Sequence, residues 1–257
     1  MRVVSLACSN TEIIAGLGCG HMLVGVDEHS DSPAELVAKL PKVGPDLTID
    51  IKKVAELKPD LVLATLTVPG HEKNIEGLQK AALNYIAPEP VSLADVFDNI
   101  RQIASLLGKD EKGSELVAKM KAELEPVSSK LKPKILVQWW NKPTISPAKL
   151  SWVSDLIALA GGENPLAHED YKSRPISNQE VAEINPDIIV LAWCGVDYKK
   201  LRPDVIYKNK LWSEVKAVKN KQVFTIPEAF LGRPGPNLVL GYKELKRIVA
   251  EFNDGIA

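Results

Sequence analysis

One eleven-residue segment occurs twice in this chain, and the repetition limits the possible folds more than any other feature. Val54-Ala55-Glu56-Leu57-Lys58-Pro59-Asp60-Leu61-Val62-Leu63-Ala64 aligns with Val181-Ala182-Glu183-Ile184-Asn185-Pro186-Asp187-Ile188-Ile189-Val190-Leu191. Five positions are identical, and aliphatic replaces aliphatic at Leu57, Leu61, Val62 and Leu63. Each copy predicts a helix end, a Pro-Asp turn and a strand. Proline cannot continue the helix, and an unbroken aliphatic run suits a strand covered on both faces of a parallel sheet. Strands alternating with helices imply two α/β lobes of like design.

Flanking elements recur in the same order. Strand candidates at 2–7 and 134–140 each precede a helix. Ser9-Asn10-Thr11-Glu12 reads as a capping box, Ser151 as the cap of a helix over 152–159, and Ser177-Asn178-Gln179-Glu180 as a second box whose counterpart starts near Thr48 or Asp50. The run Gly16-Leu17-Gly18-Cys19-Gly20 follows a helix rather than a strand, so it reads as a helix stop and not a dinucleotide fingerprint. From Ser92, with Asp95 three residues on, apolar residues recur at helical spacing through Leu124. The predicted organisation is an N-terminal α/β lobe over 1–91, a connecting helical backbone over 92–132 made of one or two helices that bend at Gly108 and Gly113, and a C-terminal α/β lobe over 133–257. The lobes are Rossmann-like with mostly parallel sheets, and a helical connector predicts little lobe motion.

Composition removes several function classes. Lys and Arg number 32 against 33 Asp and Glu, and 45% of residues are hydrophobic. Neither a nucleic-acid binder nor a disordered chain looks like this. No apolar run approaches the roughly 20 residues of a membrane span. Cys8, Cys19 and Cys194 form no CxxC pair, which argues against a disulfide framework or a thiolate zinc site; Cys194 reads as a buried small residue. His21, His29, His71 and His168 show no ligand spacing and read as solvated loop residues, with His29, in Asp27-Glu28-His29-Ser30-Asp31, set apart as one that reaches the ligand. No P-loop, GxSxG or HExxH occurs. The expectation is therefore no catalytic residues, no resident metal and no catalytic cofactor. Met1-Arg2 leads into a β-like run without the apolar stretch of a secretory signal.

In open α/β sheets ligands sit beyond the carboxyl ends of parallel strands. That rule nominates Ser9 and Asn10, Thr65 and Leu66, Trp139, Trp140 and Asn141, and Trp193 and Cys194, with Leu66 and Trp193 equivalent in the repeat. Of the 14 aromatic residues only Tyr85 and Phe97 precede residue 133. Trp152 and Trp212 read as core. Trp139 or Trp140, Trp193 and Phe230 are expected to form an aromatic wall, each ring offering about 150–250 Å², in a cleft between the lobes. Ser9, Asn10, Thr65 and Asn141 would orient a large, flat, partly apolar molecule there.

The segments Arg2–Glu12, Leu23–Asp27, Ser30–Pro33, Leu57–Ala64, Leu159–Asn164, Asn185–Asp187 and Gly232–Pro236 together resemble the cobalamin-binding proteins of ABC importers, members of the helical-backbone, class III substrate-binding proteins. The resemblance covers essentially the whole chain. It implies a non-catalytic, monomeric receptor that holds a corrinoid between its lobes, with Arg233 added to the ligand-binding set through the Gly-Arg-Pro motif, and presents it to an ABC permease. Glutamates on the lobe surfaces of that family dock on permease arginines. Glu72 matches the first; the repeat puts Lys199 at the second, leaving Asp197, Asp204 or Glu214, of which Asp197 is taken as the docking residue. The resemblance implies an extracytoplasmic location, with the cytoplasm as the alternative for a chain without a leader. Two alternatives stay open: haem or a ferric siderophore on the same fold, with Tyr198, Tyr171 or His29 as axial ligand, and a chelatase-like enzyme using His29, Cys194 and Asp197.

Overall fold

The Pro-Asp repeat builds the same corner twice. In the computed structural model, which describes residues 1–128 and 131–255, the chain divides into two units: residues 1–90 with 95–120, and residues 91–94 with 121–257. Residues 129 and 130 of the predicted connector, and 256 and 257 of the predicted second lobe, lie outside the described residues. Unit 1 runs β1 (Val3–Ser5), α1 (Cys8–Gly16), β2 (Leu23–Val26), α2 (Ala34–Val37), α3 (Ile51–Glu56), β3 (Leu61–Leu63), α4 (Glu72–Lys80), β4 (Tyr85–Ile86), most of α5 (Leu93–Leu106) and most of α6 (Asp110–Glu123). Among the described residues its sheet has four parallel strands in the order β2-β1-β3-β4. Val4, Leu6, Val54, Val62 and Leu78 form its core.

Unit 2 continues with β5 (Ile135–Gln138), β6 (Trp140–Asn141), β7 (Thr144–Pro147), α7 (Trp152–Leu159), β8 (Ser173–Ile176), α8 (Asn178–Ile184), β9 (Ile188–Leu191), α9 (Asp204–Tyr207), α10 (Lys216–Lys219), β10 (Val223–Thr225), α11 (Glu228–Leu231) and α12 (Leu238–Asp254). Its parallel sheet is ordered β10-β9-β5, and a second, antiparallel sheet is ordered β6-β7-β8. The mostly parallel α/β class read from the sequence is what the chain adopts.

In each repeat the helix ends on a non-glycine residue in the left-handed region, Lys58 and Asn185, both at φ 47°. The aspartate then accepts a backbone N–H beside the next strand: Asp60 Oδ2 from Arg2 at 2.6 Å, Asp187 Oδ2 from Lys134 at 2.9 Å. Their own N–H groups return to the carbonyls of the same residues, Arg2 and Lys134. The carboxylate thus locks helix end and strand start together. Asp187 also lies 3.3 Å from Lys216 and is only 20% exposed, against 58% for Asp60. Asp187→Ala should cost about 1–3 kcal/mol, as loss of a charge-assisted bond to a backbone donor does, and Asp60→Ala less; urea unfolding of both variants gives the comparison.

Several expectations need correction. Helix α1 starts at Cys8, with Ala7 as its cap and no side-chain cap bond, so Ser9 lies inside the first turn and the capping box at Ser9 does not form. Asp50, Ser151 and Ser177 do cap their helices, the last in a full capping box with Glu180. The strand expected over 134–140 ends at Gln138; Trp140 belongs to the antiparallel sheet, which went unread because its hairpin strands are short and carry prolines. Among the described residues, the stretch expected as a connector holds two helices, parted at Gly108 (φ 65°), and the second runs unbroken through Gly113. Gly113 instead lets α6 press on α5: a Cβ there would stand 2.4 Å from that of Ala104.

Arg174 holds the antiparallel sheet to α8. Its Nη2 donates to Glu169 Oε1 at 2.7 Å and its Nη1 to Glu180 Oε1 at 2.9 Å. The guanidinium holds the Glu169 carboxyl below the ordinary carboxylate range; the Ser177 N–H, then Arg174, does the same for Glu180. A depressed folded-state pKa stabilises the protein above the unfolded value, and that contribution vanishes as pH falls through the depressed one. The stability gap between wild type and Glu169→Gln should be constant near neutrality and close in acid. Thermal midpoints across pH test this; a gap that widens in acid would contradict it.

Candidate functional site

At the carboxyl end of β2 in unit 1, Asp27 is fully buried and accepts from the N–H groups of His29 (3.0 Å) and Ser30 (3.1 Å), and from the Ser30 hydroxyl. Burial pushes its carboxyl up despite these donors. Thr11 joins Ser30 and Ser5, each at 2.8 Å, and Lys42 Nζ donates to the Ser30 carbonyl at 2.7 Å. This network fixes the loop that presents His29, whose side chain is 55% exposed.

His29 and His71 both face Asp46, Nε2 lying 3.5 Å from Oδ1 and 3.7 Å from Oδ2 respectively. His71, ahead of His29, holds the Asp46 carboxyl below its ordinary value. The reading of His71 as a solvated loop residue is corrected: it is 3% exposed, because its Nδ1 accepts the Val68 N–H and the loop folds over it. Among the described residues no group of three or more His, Cys, Asp or Glu is placed to hold a metal ion.

The other unit 1 candidates are largely committed to the frame. Asn10 is 4% exposed and donates to the Leu63 and Ala64 carbonyls at 3.1 and 2.9 Å. Ser9 and Thr65 are buried, Thr65 donating to the Pro88 carbonyl at 3.3 Å, while Leu66 is half-buried. Glu72, exposed at the start of α4, accepts the Gly70 N–H at 2.7 Å.

Unit 2 brings its candidates to the ends of β5 and β9. Trp193 follows β9, is half-buried against the core, and points its indole N–H at Gln138 Oε1, 3.4 Å away. Trp139 is half-buried and its carbonyl accepts the Cys194 N–H at 3.1 Å; Trp140 next to it is 43% exposed. Cys194 is exposed, not buried as expected, because it lies past the strand in the turn made by Gly195 (φ 68°). Asn141 is half-buried in β6. Phe230 sits on α11, half-buried, and Arg233 pairs with Glu228 at 3.3 Å. Asp197 is exposed and caps the 3-10 turn at 198–200. Trp152, bonded to the Leu231 carbonyl at 2.7 Å, and Trp212 are core, as expected. Sequence reasoning passed over Gln138, fully buried at the end of an aliphatic strand; a lone carboxamide closing such a run was the available signal.

The family model described as periplasmic binding protein matches residues 3–230. The chain belongs to the periplasmic binding protein family. It is 30% identical over 254 residues to the uncharacterized ABC transporter substrate-binding lipoprotein YvrC of Bacillus subtilis (strain 168), covering 95% of this chain and 78% of that protein. It is 28% identical over 252 residues to a vitamin B12-binding protein of Vibrio vulnificus (strain YJ016), covering 95% and 88%. Among solved structures, the apo periplasmic heme-binding protein RhuT from Roseiflexus sp. RS-1 superposes with TM-score 0.80 at 24% identity, covering 98% of each chain. The periplasmic vitamin B12-binding protein BtuF of Vibrio cholerae gives 0.75 at 24% identity, covering 98% and 97%. At such identities the structural likeness establishes the fold alone. No helix among the described residues is long and apolar enough to cross a membrane.

Proposed function

We propose that this chain is the substrate-binding component of an ABC importer, works outside the cytoplasm, and takes cobalamin or a related corrinoid as its ligand. The observation that carries the reading is its alignment, along 95% of its length, with relatives that are named vitamin B12-binding proteins. The physical features agree. Trp193 is held at the end of β9 by the core it packs against, so its ring is ready-made apolar surface that costs little entropy to use, and backbone bonds fix the main chain of Trp139 beside it. Haem is the second reading, favoured by the exposure of Tyr171 and Tyr198, 58% and 44%.

Protein purified from cells supplied with cobalamin should carry the corrin absorption bands in the visible. Protein that emerges colourless and also fails to load in vitro would end the corrinoid reading and leave the fold untouched. For the permease, Glu72→Lys should leave cyanocobalamin affinity as it is and lower the stimulation of permease ATPase activity, since the exposed carboxylate at the start of α4 serves docking and not the ligand. Equal loss of both properties would contradict that role.

A further inference from the structure

We infer that unit 2 carries a separate binding site for a small oxyanion, a phosphate or carboxylate on a compact apolar body, between the turn joining β6 to β7 and helix α9. A cavity of about 670 Å³ opens there. Its polar lining is rich in donors and poor in acceptors. Lys142 and Lys208 line it, no Asp or Glu does, and neither ammonium has a carboxylate partner among the described residues. Apart from Asn141 Oδ1, the side-chain amide and Ser177 acceptors nearby are already in use: Asn209 Oδ1 takes the Leu211 N–H at 3.2 Å, Asn178 Oδ1 takes the Asn209 amide at 3.2 Å, and the Ser177 hydroxyl takes the Glu180 N–H at 3.1 Å.

The Asn209-to-Asn178 bond fixes which way both amides face. It leaves the Asn178 amide N–H groups and the second one of Asn209 without protein partners, and the Asn141 side chain has none among the described residues. Each lysine brings three donors and each free amide two. A neutral ligand rich in donors of its own would find few open side-chain acceptors, Asn141 Oδ1 among them; an oxyanion would be met by donors from several sides. Ile176 and Ile206, 4% and 1% exposed, form an apolar floor on which the body of such a ligand would rest. The first turn of α8 adds nothing, because its capping box already uses those groups.

Phenyl phosphate, inorganic phosphate and benzyl alcohol serve as probes, with the side-chain amide signals of Asn178 and Asn209 followed by nuclear magnetic resonance. Saturable shifts are expected with phenyl phosphate in the millimolar range, weaker ones with inorganic phosphate and none with benzyl alcohol. The exposed-lysine variant K142Q/K208Q should fold normally and weaken phenyl phosphate by about tenfold or more, the worth of charged hydrogen bonds. Linear, non-saturating shifts, or binding unchanged in the double variant, would overturn the assignment. Equal response to benzyl alcohol would also overturn it, since the site would then be merely apolar. Corrinoid binding is not an input to this inference, and its presence or absence leaves these outcomes readable.

Discussion

Trp193→Ala is expected to weaken cyanocobalamin binding by about 1–3 kcal/mol, a factor of roughly 5 to 150, as removal of an anchored aromatic from a binding surface does. The indole is held from two directions. Its inner face packs on the cluster that includes Leu136, Leu191 and Trp212, and its N–H faces Gln138. Truncation therefore removes the proposed ligand surface and leaves a fully buried carboxamide without its indole partner, so some stability is lost as well. Trp193→Phe separates the two effects: it keeps the ring on the core and should recover most of the stability while binding more weakly than wild type. An Ala variant that is folded and binds cyanocobalamin as tightly as wild type would make Trp193 a core residue only.

Gly241→Ala should destabilise unit 2 by about 3 kcal/mol, at the upper end of overpacking costs. Gly241 is buried in α12, where a Cβ would stand 2.1 Å from the Phe230 carbonyl oxygen and 2.8 Å from Leu231 Cδ2. The first of these is main chain, so no rotamer change relieves it. Helix α11 would have to move, and with it the Leu231 carbonyl that accepts the Trp152 indole N–H. Alanine's better helix propensity, worth up to about 1 kcal/mol, works in the opposite direction and is too small to compensate. Urea unfolding followed by tryptophan fluorescence reads the effect. A change within about 0.5 kcal/mol, the usual range for harmless surface substitutions, would show that α11 and α12 do not approach as closely as described.

Much of the architecture was legible because it is written in local chemistry. In both copies of the repeat the Pro-Asp pair, Pro59-Asp60 and Pro186-Asp187, follows a helix and leads into a strand, and Ser177 with Glu180 satisfies helix-end donors from within four residues. Trp140 shows where legibility stopped. Whether it continues β5 or turns into a hairpin depends on pairing with Ile145 across Pro143, a contact that no periodicity encodes. Ser9 shows a different limit: it has the residue type of a cap, but the helix begins at Cys8, two residues before a Ser9 cap would start it, and side-chain type alone cannot choose between neighbouring starts.

The positions of the strand ends were legible, the polar partners of the single side chains there less so. Asn10 has the right chemistry for a ligand donor, yet its amide is consumed by the carbonyls of Leu63 and Ala64, which lie 53 and 54 residues away in sequence. His71 looked like its three solvated counterparts until Asp46 and the Val68 N–H gave it a buried berth. Such long-range polar pairings decide which side chains remain free, and they come from tertiary structure.

The most direct test is a paired calorimetric titration of the purified protein with cyanocobalamin and with haemin under identical conditions. Saturable one-to-one binding of cyanocobalamin, tighter than that of haemin and weakened in Trp193→Ala, is the expected result. Saturable haemin binding with a Soret shift, and no heat from cyanocobalamin, would contradict the corrinoid assignment.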